Sequence, residues 1–377
     1  MMEKIGKYIT NYIKGKTPKV LFDSELSDTL PYLSPDYLRG VSNPELYAKQ
    51  DAKTIVIDDG EVIVLWDGSN AGEILISKKG ILASTMTMLK FDETKINKAY
   101  FGYSFQNLEY ILKAKTAGSG IPHADKGVIS KLEFYKPSLS EQTAIADILS
   151  KVDEAIEAVQ GSIAAAERLK KSLMQNLLTG RMKPDGTLRK EDEFYVDEKF
   201  GRVPVGWGIE KFGKRVIVLY GKSQKDVVSE NGTIPVYGTG GIIEYATQAL
   251  CNHESILVGR KGTIDKPFYI DKPFWAVDTT YYVDRFIDGN MRYLYYMLLR
   301  MNLGNLNEAT GVPSVTRRTL NRQRLIIPPI DEQNSIVNVI DKIEKQIIKK
   351  QSRITTLERL KKSLMQNLLT GRVRVKE

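Results

Sequence analysis

The sequence predicts an α+β chain: two similar globular modules, each followed by a long helix, with the helices paired antiparallel as a coiled-coil spacer and the whole pseudo-twofold symmetric. Three observations carry that expectation. Residues Glu167 to Arg181 read ERLKKSLMQNLLTGR, and Glu358 to Arg372 repeat the same 15 residues 191 positions later, about half of the 377-residue chain. Around each copy, apolar residues recur at steps of three and four, the seven-residue pattern of a helix that buries one narrow stripe. The segments ahead of the helices hold short β-branched runs between glycine turns, which is how strands and their connections read. Solenoid arrays need three or more small units, so two large ones suggest a pseudo-twofold object instead.

The first module is expected over 1–137. Its strands are KTIVID and EVIVLW, and a helix falls near Asn97 to Ala114. The 191-residue offset already holds at its end: Gly120 and Pro122 recur as Gly311 and Pro313, and Pro137, Glu141, Gln142 and Ile145 recur as Pro328, Glu332, Gln333 and Ile336. A spacer helix over 138–181 follows. Ser140 is its expected N-cap, with Asp331 in that role in the second copy. The stripe runs through Ile145, Leu149, Val152, Ile156, Val159, Ile163, Ala166, Leu173 and Leu177, and Gly180 marks the stop. A helix from Glu141 to Thr179 would be about 58 Å long. A connector over 182–203 is polar and mixed in charge. The second module, over 204–328, opens at GRVPVGWG and holds ESILVGR, PFYID and TTYYVDRF, then a helix near Met291 to Met301. The second spacer helix and its tail occupy 329–377, with Ile336, Ile340, Ile343, Ile347, Ile354, Leu357, Leu364 and Leu368 on the stripe and Gly371 at the stop. Lys350 and Lys361 interrupt that stripe, as Lys170 interrupts the first, leaving gaps for water or a partner. Within the modules, Gly15-Lys16-Thr17 pairs with Gly221-Lys222-Ser223, Pro31 and Tyr32 fall near Pro235 to Tyr237, and Asp67 and Gly68 fall near Gly259 to Gly262. The fragment MMEKIGKYI aligns with Ile209 to Val216.

Composition excludes several classes. One cysteine, Cys251, rules out an internal disulfide and a multi-cysteine zinc site, and two histidines leave little for a His-rich metal centre. No apolar run reaches membrane length and no secretory signal is read, so a cytoplasmic protein is expected, with no membrane partner. GKT and GKS lack the earlier glycine of a phosphate-binding loop; Thr10 and Val216 stand there. YGTGG at Tyr237 to Gly241 lacks dinucleotide spacing. No G-x-S-x-G, H-E-x-x-H, N-P-P-[YF] or D-P-P-Y occurs, and no catalytic or cofactor-binding residue is assigned.

The formal charge is +9, which permits an anionic partner. Residues 141–181 sum to −1 and residues 332–372 to +5. Bases cluster at loop positions, interspersed with aromatic and amide groups. Lys and Arg can neutralise phosphates, and Arg, Lys, Gln and Asn can read base edges. The candidate DNA contacts are Lys14, Lys16, Thr17, Tyr32, Asn70, Lys78 and Lys79 in the first module. In the second they are Lys222, Ser223, Gln224, Tyr237, Arg260, Lys261, Arg317 and Arg318. The duplicated helix ends suggest two equivalent sockets for a twice-bound partner, through Leu173, Gln175, Asn176 and Leu177 and through Leu364, Gln366, Asn367 and Leu368.

In combination, G-[IV]-P, P-[PS]-[IL]-x-E-Q, a long helix closing on LL-T-G-R and the P-x-G-W opening at Pro204 to Trp207 resemble the specificity (S) subunit of Type I restriction-modification systems. The resemblance covers essentially the whole chain, although P-x-G-W is absent from the first half. It implies two target recognition domains, each reading one half of a split, asymmetric sequence in double-stranded DNA, held apart by the spacer helices. It also implies a non-catalytic subunit that binds no cofactor. Two modification subunits would supply adenine-N6 methylation with S-adenosylmethionine, and two restriction subunits would supply ATP- and Mg²⁺-dependent cleavage. The alternatives are a DNA-binding regulator or scaffold outside restriction, a protein-only spacer, and an enzyme with an unrecognised site.

Overall fold

The computed structural model describes residues 1–115 and 122–375. Gly120, part of the first G-[IV]-P motif, lies outside the described residues. The chain divides into two compact units. Unit 1 comprises Met1–Gly161 and Gln351–Glu377, and unit 2 comprises Ser162–Lys350.

Unit 1 is built on a four-stranded antiparallel sheet of β1 (Ile9–Lys14), β2 (Val62–Leu65), β3 (Ile74–Ile76) and β4 (Met86–Phe91), in the order β1-β4-β2-β3. Val62 to Leu65 are all buried, since one face meets helices and the other meets the Leu33 and Ile57 cluster. The helices are α1 (Lys98–Asn107), α2 (Glu109–Lys115), α3 (Lys126–Lys131) and the first half of α4 (Leu139–Leu177). Asn97 caps α1 and Asp125 caps α3 through their side chains.

Unit 2 repeats this plan. Its sheet is β5 (Val216–Tyr220), β6 (Ser255–Gly259), β7 (Phe268–Ile270) and β8 (Thr280–Phe286), in the order β5-β8-β6-β7, again antiparallel throughout. Its helices are α5 (Met291–Arg300), α6 (Arg317–Arg322) and the first half of α7 (Ile330–Leu368). Asn290 caps α5 and Thr316 caps α6. The expected alignment at the chain start holds: Met2 to Lys4 pair with Tyr135 to Glu133 as Ile209 to Lys211 pair with Ile326 to Arg324.

Both spacer helices are single 39-residue helices, beginning two residues before the expected start. The cap of α4 is Ser138 rather than Ser140: the Ser138 hydroxyl accepts from the Glu141 amide at 3.2 Å, while Ser140 lies inside the first turn. Asp331 likewise sits inside α7. The preceding prolines set that boundary, since Pro137 and Pro328 offer their carbonyls to Gln142 and Gln333 at 3.0 and 2.9 Å. Both glutamines are fully buried. Each also accepts, at 2.9 Å, from the backbone of the asparagine that caps the module helix, Asn97 or Asn290. The E-Q pair is thus the joint between module and spacer.

Each unit contains half of both spacer helices, and within each the halves run antiparallel. In unit 1, Glu141 receives Arg374 in a bidentate pair at 2.6–3.0 Å, and Asp153 receives Lys361 at 2.7 Å. In unit 2, Lys350 donates to the Ser162 hydroxyl and Lys170 pairs with Glu344. The lysines that break the apolar stripes are therefore matched by acids or a hydroxyl rather than left to water. Leu368 and Leu369 close the core of unit 1, and Leu177 and Leu178 that of unit 2. No helix among the described residues is long and apolar enough to cross a membrane.

Candidate nucleic-acid interface

The first strand of each sheet ends on a glycine pressed against backbone. A Cβ on Gly15 would lie 2.1 Å from the Ala83 carbonyl oxygen, and one on Gly221 would lie 2.0 Å from that of Val277. The Gly15 amide donates to the Met86 carbonyl and the Gly221 amide to that of Thr280, each at 3.0 Å. These glycines therefore allow two strands to cross closely, and no phosphate cradle surrounds them. Lys16 and Lys222 follow on the exposed side.

Around this crossing the two units make the same backbone contacts. In unit 1, Asp67 bridges His123, the Gly68 amide donates to the Pro122 carbonyl, and Ala124 to that of Trp66. In unit 2, Lys261 bridges Ser314, Gly262 donates to Pro313, and Val315 to Arg260. The pairing matches Trp66 with Arg260 and Asp67 with Lys261. Downstream, the 191-residue offset matches Lys126 with Arg317.

The side chains on these equivalent positions differ. In unit 1, Lys14 Nζ lies 2.9 Å from Asp67 Oδ2, and His123 Nδ1 lies 2.6 Å from Asp67 Oδ1. Burial opposes ionisation of Asp67, but Lys14 and His123 outweigh it and hold the carboxyl below its ordinary range. Thr17 donates to the Ser84 hydroxyl at 3.0 Å, and the Ser84 amide donates to the Tyr32 hydroxyl at 3.2 Å. The exposed Asn70 shares the turn with Asp67. Lys126 sits 4.9 Å over the Tyr12 ring, which meets Trp66 edge-on. Lys78 and Lys79 belong elsewhere: Lys78 lies 4.5 Å over the Tyr37 ring, and the Lys79 amide donates to Asp59.

In unit 2 the half-exposed Tyr220 ring is flanked by Arg317 at 5.0 Å and Arg260 at 5.5 Å, and buried Tyr281 meets it edge-on at 5.0 Å. Arg260 donates to the Asp278 carbonyl and Arg317 reaches that of Val218. Among the described residues no carboxylate forms an ion pair with Arg260, Lys261, Arg317 or Arg318. Glu308, on the loop before α6, is engaged by the Thr316 and Thr319 hydroxyls instead. Lys222 is fixed through its backbone, its carbonyl accepting from Trp275 Nε1 at 2.9 Å. Ser223 is exposed, and Gln224 donates to Glu244 at 3.3 Å. Tyr237 packs against Phe268 and Phe274 and belongs largely to the core. Sequence reasoning missed Tyr220, Trp66, Asp67 and His123 as members of this edge; the glycine pairing was the signal that leads to them.

The duplicated helix ends form a second candidate surface. Glu167, Lys170, Lys171, Met174 and Gln175 line one wall of a groove in unit 2, opposite Leu299 and Arg300. Their duplicates Glu358, Lys361, Lys362, Met365 and Gln366 line a groove in unit 1, opposite Gln106 and Tyr110. Gln175 and Gln366 are exposed, while Leu173, Leu364, Asn176 and Asn367 are half-buried. Leu177 and Leu368 lie within their own cores and have no surface to offer.

A family model described as the Type I restriction modification DNA specificity domain matches residues 6–168 and 220–359. The chain is 32% identical to the Type I restriction enzyme MjaVIII specificity subunit of Methanocaldococcus jannaschii, over 99% of this chain and 92% of that protein. It is 23% identical to the MjaIX specificity subunit of the same organism, over 96% and 91%. Its fold is similar to the crystal structure of a Type I S subunit from M. genitalium, with a TM-score of 0.66 at 14% identity, covering 98% of this chain and 96% of that one. The two like sheets, the paired glycines and the duplicated helices are thus those of a known architecture, and the chain belongs to the Type I restriction-modification specificity subunits, the non-catalytic DNA-recognition subunits of these systems.

Proposed function

We propose that the chain reads a bipartite, asymmetric DNA site, one half with each module, and that the spacer helices set the distance between the halves. The observation that carries this reading is the recurrence of the same joint at a 191-residue offset: Gln142 with Asn97 and Gln333 with Asn290, Lys361 with Asp153 and Lys170 with Glu344. Repeated joints support two like modules on one antiparallel coiled coil with pseudo-twofold symmetry. A rod of about 58 Å exceeds one turn of B-DNA, roughly 34 to 36 Å. Modules at its ends would meet half-sites about a turn apart, and their unlike edges make the site non-palindromic. The modules would be 1–137 and 204–328, the spacers 138–181 and 329–377.

The DNA-facing edge is proposed at the strand crossing: Lys14, Lys16, Thr17, Tyr32 and Asn70 in one module, and Lys222, Ser223, Gln224, Arg260, Lys261, Arg317 and Arg318 in the other. The two grooves on the duplicated helix ends would each seat one modification subunit, through Gln175 and Gln366 and the half-buried Leu173, Leu364, Asn176 and Asn367. S-adenosylmethionine, ATP and Mg²⁺ would reside in modification and restriction subunits, and the assembly would work in the cytoplasm. Methylation mapping in a cell expressing the chain with its modification subunit tests the reading. The expected result is one split motif with two unlike halves; a continuous motif, or none, would overturn it. Replacing Gln175 and Gln366 together with arginine is expected to reduce the bound modification subunits from two to none, and unchanged assembly would remove the grooves from the proposal.

A further inference from the structure

The matched strand crossings carry opposite electrostatics, and this rests on the proposal that they face DNA. At the equivalent positions unit 1 has Lys14, Trp66, Asp67, His123, Lys126 and Gly127, with a formal charge of +1. Unit 2 has Tyr220, Arg260, Lys261, Ser314, Arg317 and Arg318, with a formal charge of +4. The difference is also one of availability. Lys14 is already taken by Asp67, whereas Arg260 and Arg317 have only carbonyls and the Tyr220 ring as partners. Two guanidinium groups flanking one tyrosine repel each other, and the stack on Tyr220, braced by Tyr281, holds them in place without neutralising them. Such an arrangement suits the anionic oxygens of a nucleic-acid backbone, since guanidinium forks match phosphate geometry.

We infer that the two modules divide the work: the Tyr220–Arg260–Arg317 clamp of unit 2 supplies most of the phosphate-neutralising affinity, and the Lys14–Asp67–His123 cluster of unit 1 supplies little of it. A duplex then binds first through the second module. The first module, with its charges internally compensated, adds discrimination: Asp67 is an acceptor of the kind that pairs with the cytosine amino group.

The salt dependence of binding to a mixed-sequence duplex, measured on the full chain assembled with its modification subunit, tests this. Each phosphate contact contributes roughly 0.9 to the slope of log affinity against log salt. Changing Arg260 and Arg317 together to glutamine is expected to lower the slope by about 2, and Lys14→Gln to change it by less than about 0.5. Arg260→Lys with Arg317→Lys keeps the charge and is expected to keep the slope, which separates lost contacts from a misfolded edge. Asp67→Asn frees Lys14 and is expected to raise the slope by up to about 1. If Lys14→Gln lowers the slope as much as the double arginine change, the division of work is wrong while the DNA-facing edge survives. If neither substitution changes the slope, the edge itself is misplaced.

Discussion

Lys170 and Lys361 are the same residue twice, each pairing with an acid on the opposing helix half; Asp67 and Lys261 are also equivalent, yet one is an acid and the other a base. The contrast separates two kinds of constraint. Along the spacers a side chain must satisfy a fixed neighbour. Glu344 is held by Lys170, Arg292 and the Tyr296 hydroxyl, and Asp153 by Lys361 and the Tyr103 hydroxyl. A change there leaves a half-buried charge uncompensated. At the strand crossing the backbone hydrogen bonds fix the path, and the side chains point to open surface, so opposite charges fit the same frame.

The strongest way to break this comparison is at the crossing glycines. Gly15→Ala and Gly221→Ala each drive a Cβ into a carbonyl oxygen, and each is expected to cost about 3 kcal/mol or more in a denaturant titration. A large loss in one unit alone would show that the crossings are not equivalent. Next come the buried joints. Gln142→Leu or Gln333→Leu strands a backbone amide and a carbonyl, at a cost of about 2 kcal/mol each.

Lys170→Ala and Lys361→Ala should be milder, about 1 kcal/mol each, since both pairs are only partly buried. They also alter the acid response. Burial works against ionisation of Glu344, but Lys170, Tyr296 and Arg292 prevail and hold its carboxyl below 4.5. A depressed carboxylate stabilises the fold above its unfolded value, and that contribution is lost as pH falls through the lowered value. Stability should therefore decline below about pH 4.5, and Glu344→Gln should be less stable at neutral pH with a flatter acid limb. The smallest effect is expected at the edge: Asp67→Asn should change stability by about 0.5 kcal/mol or less while altering DNA binding.

Much of the frame was legible because it is periodic or repeated. The seven-residue stripe located both spacers to within two residues, and the module helices fell where the patterns put them. The glycine matches held because a close backbone crossing admits no other residue. What was not legible depends on contacts between distant segments. Nothing in the sequence order brings His123 and Lys14 to Asp67, which requires the register of β1 against β4 and the return of the chain after the masked stretch. Tyr237 read as a surface aromatic, but its strand lies over Phe268 and Phe274, and burial claims the ring. Ser140 read as the cap because the Glu141 motif was taken as the helix start, whereas the turn begins as soon as the proline restriction ends at Ser138.

The division at Gly161 and Lys350 has a consequence for biosynthesis. The segment 1–161 leaves the ribosome early, yet Leu368 and Leu369, which seal its interior, and Arg374, which neutralises the sequestered Glu141, are translated almost last. The module made first is therefore the last to be completed, and a nascent chain halted near residue 350 would hold a finished second half beside an open first one.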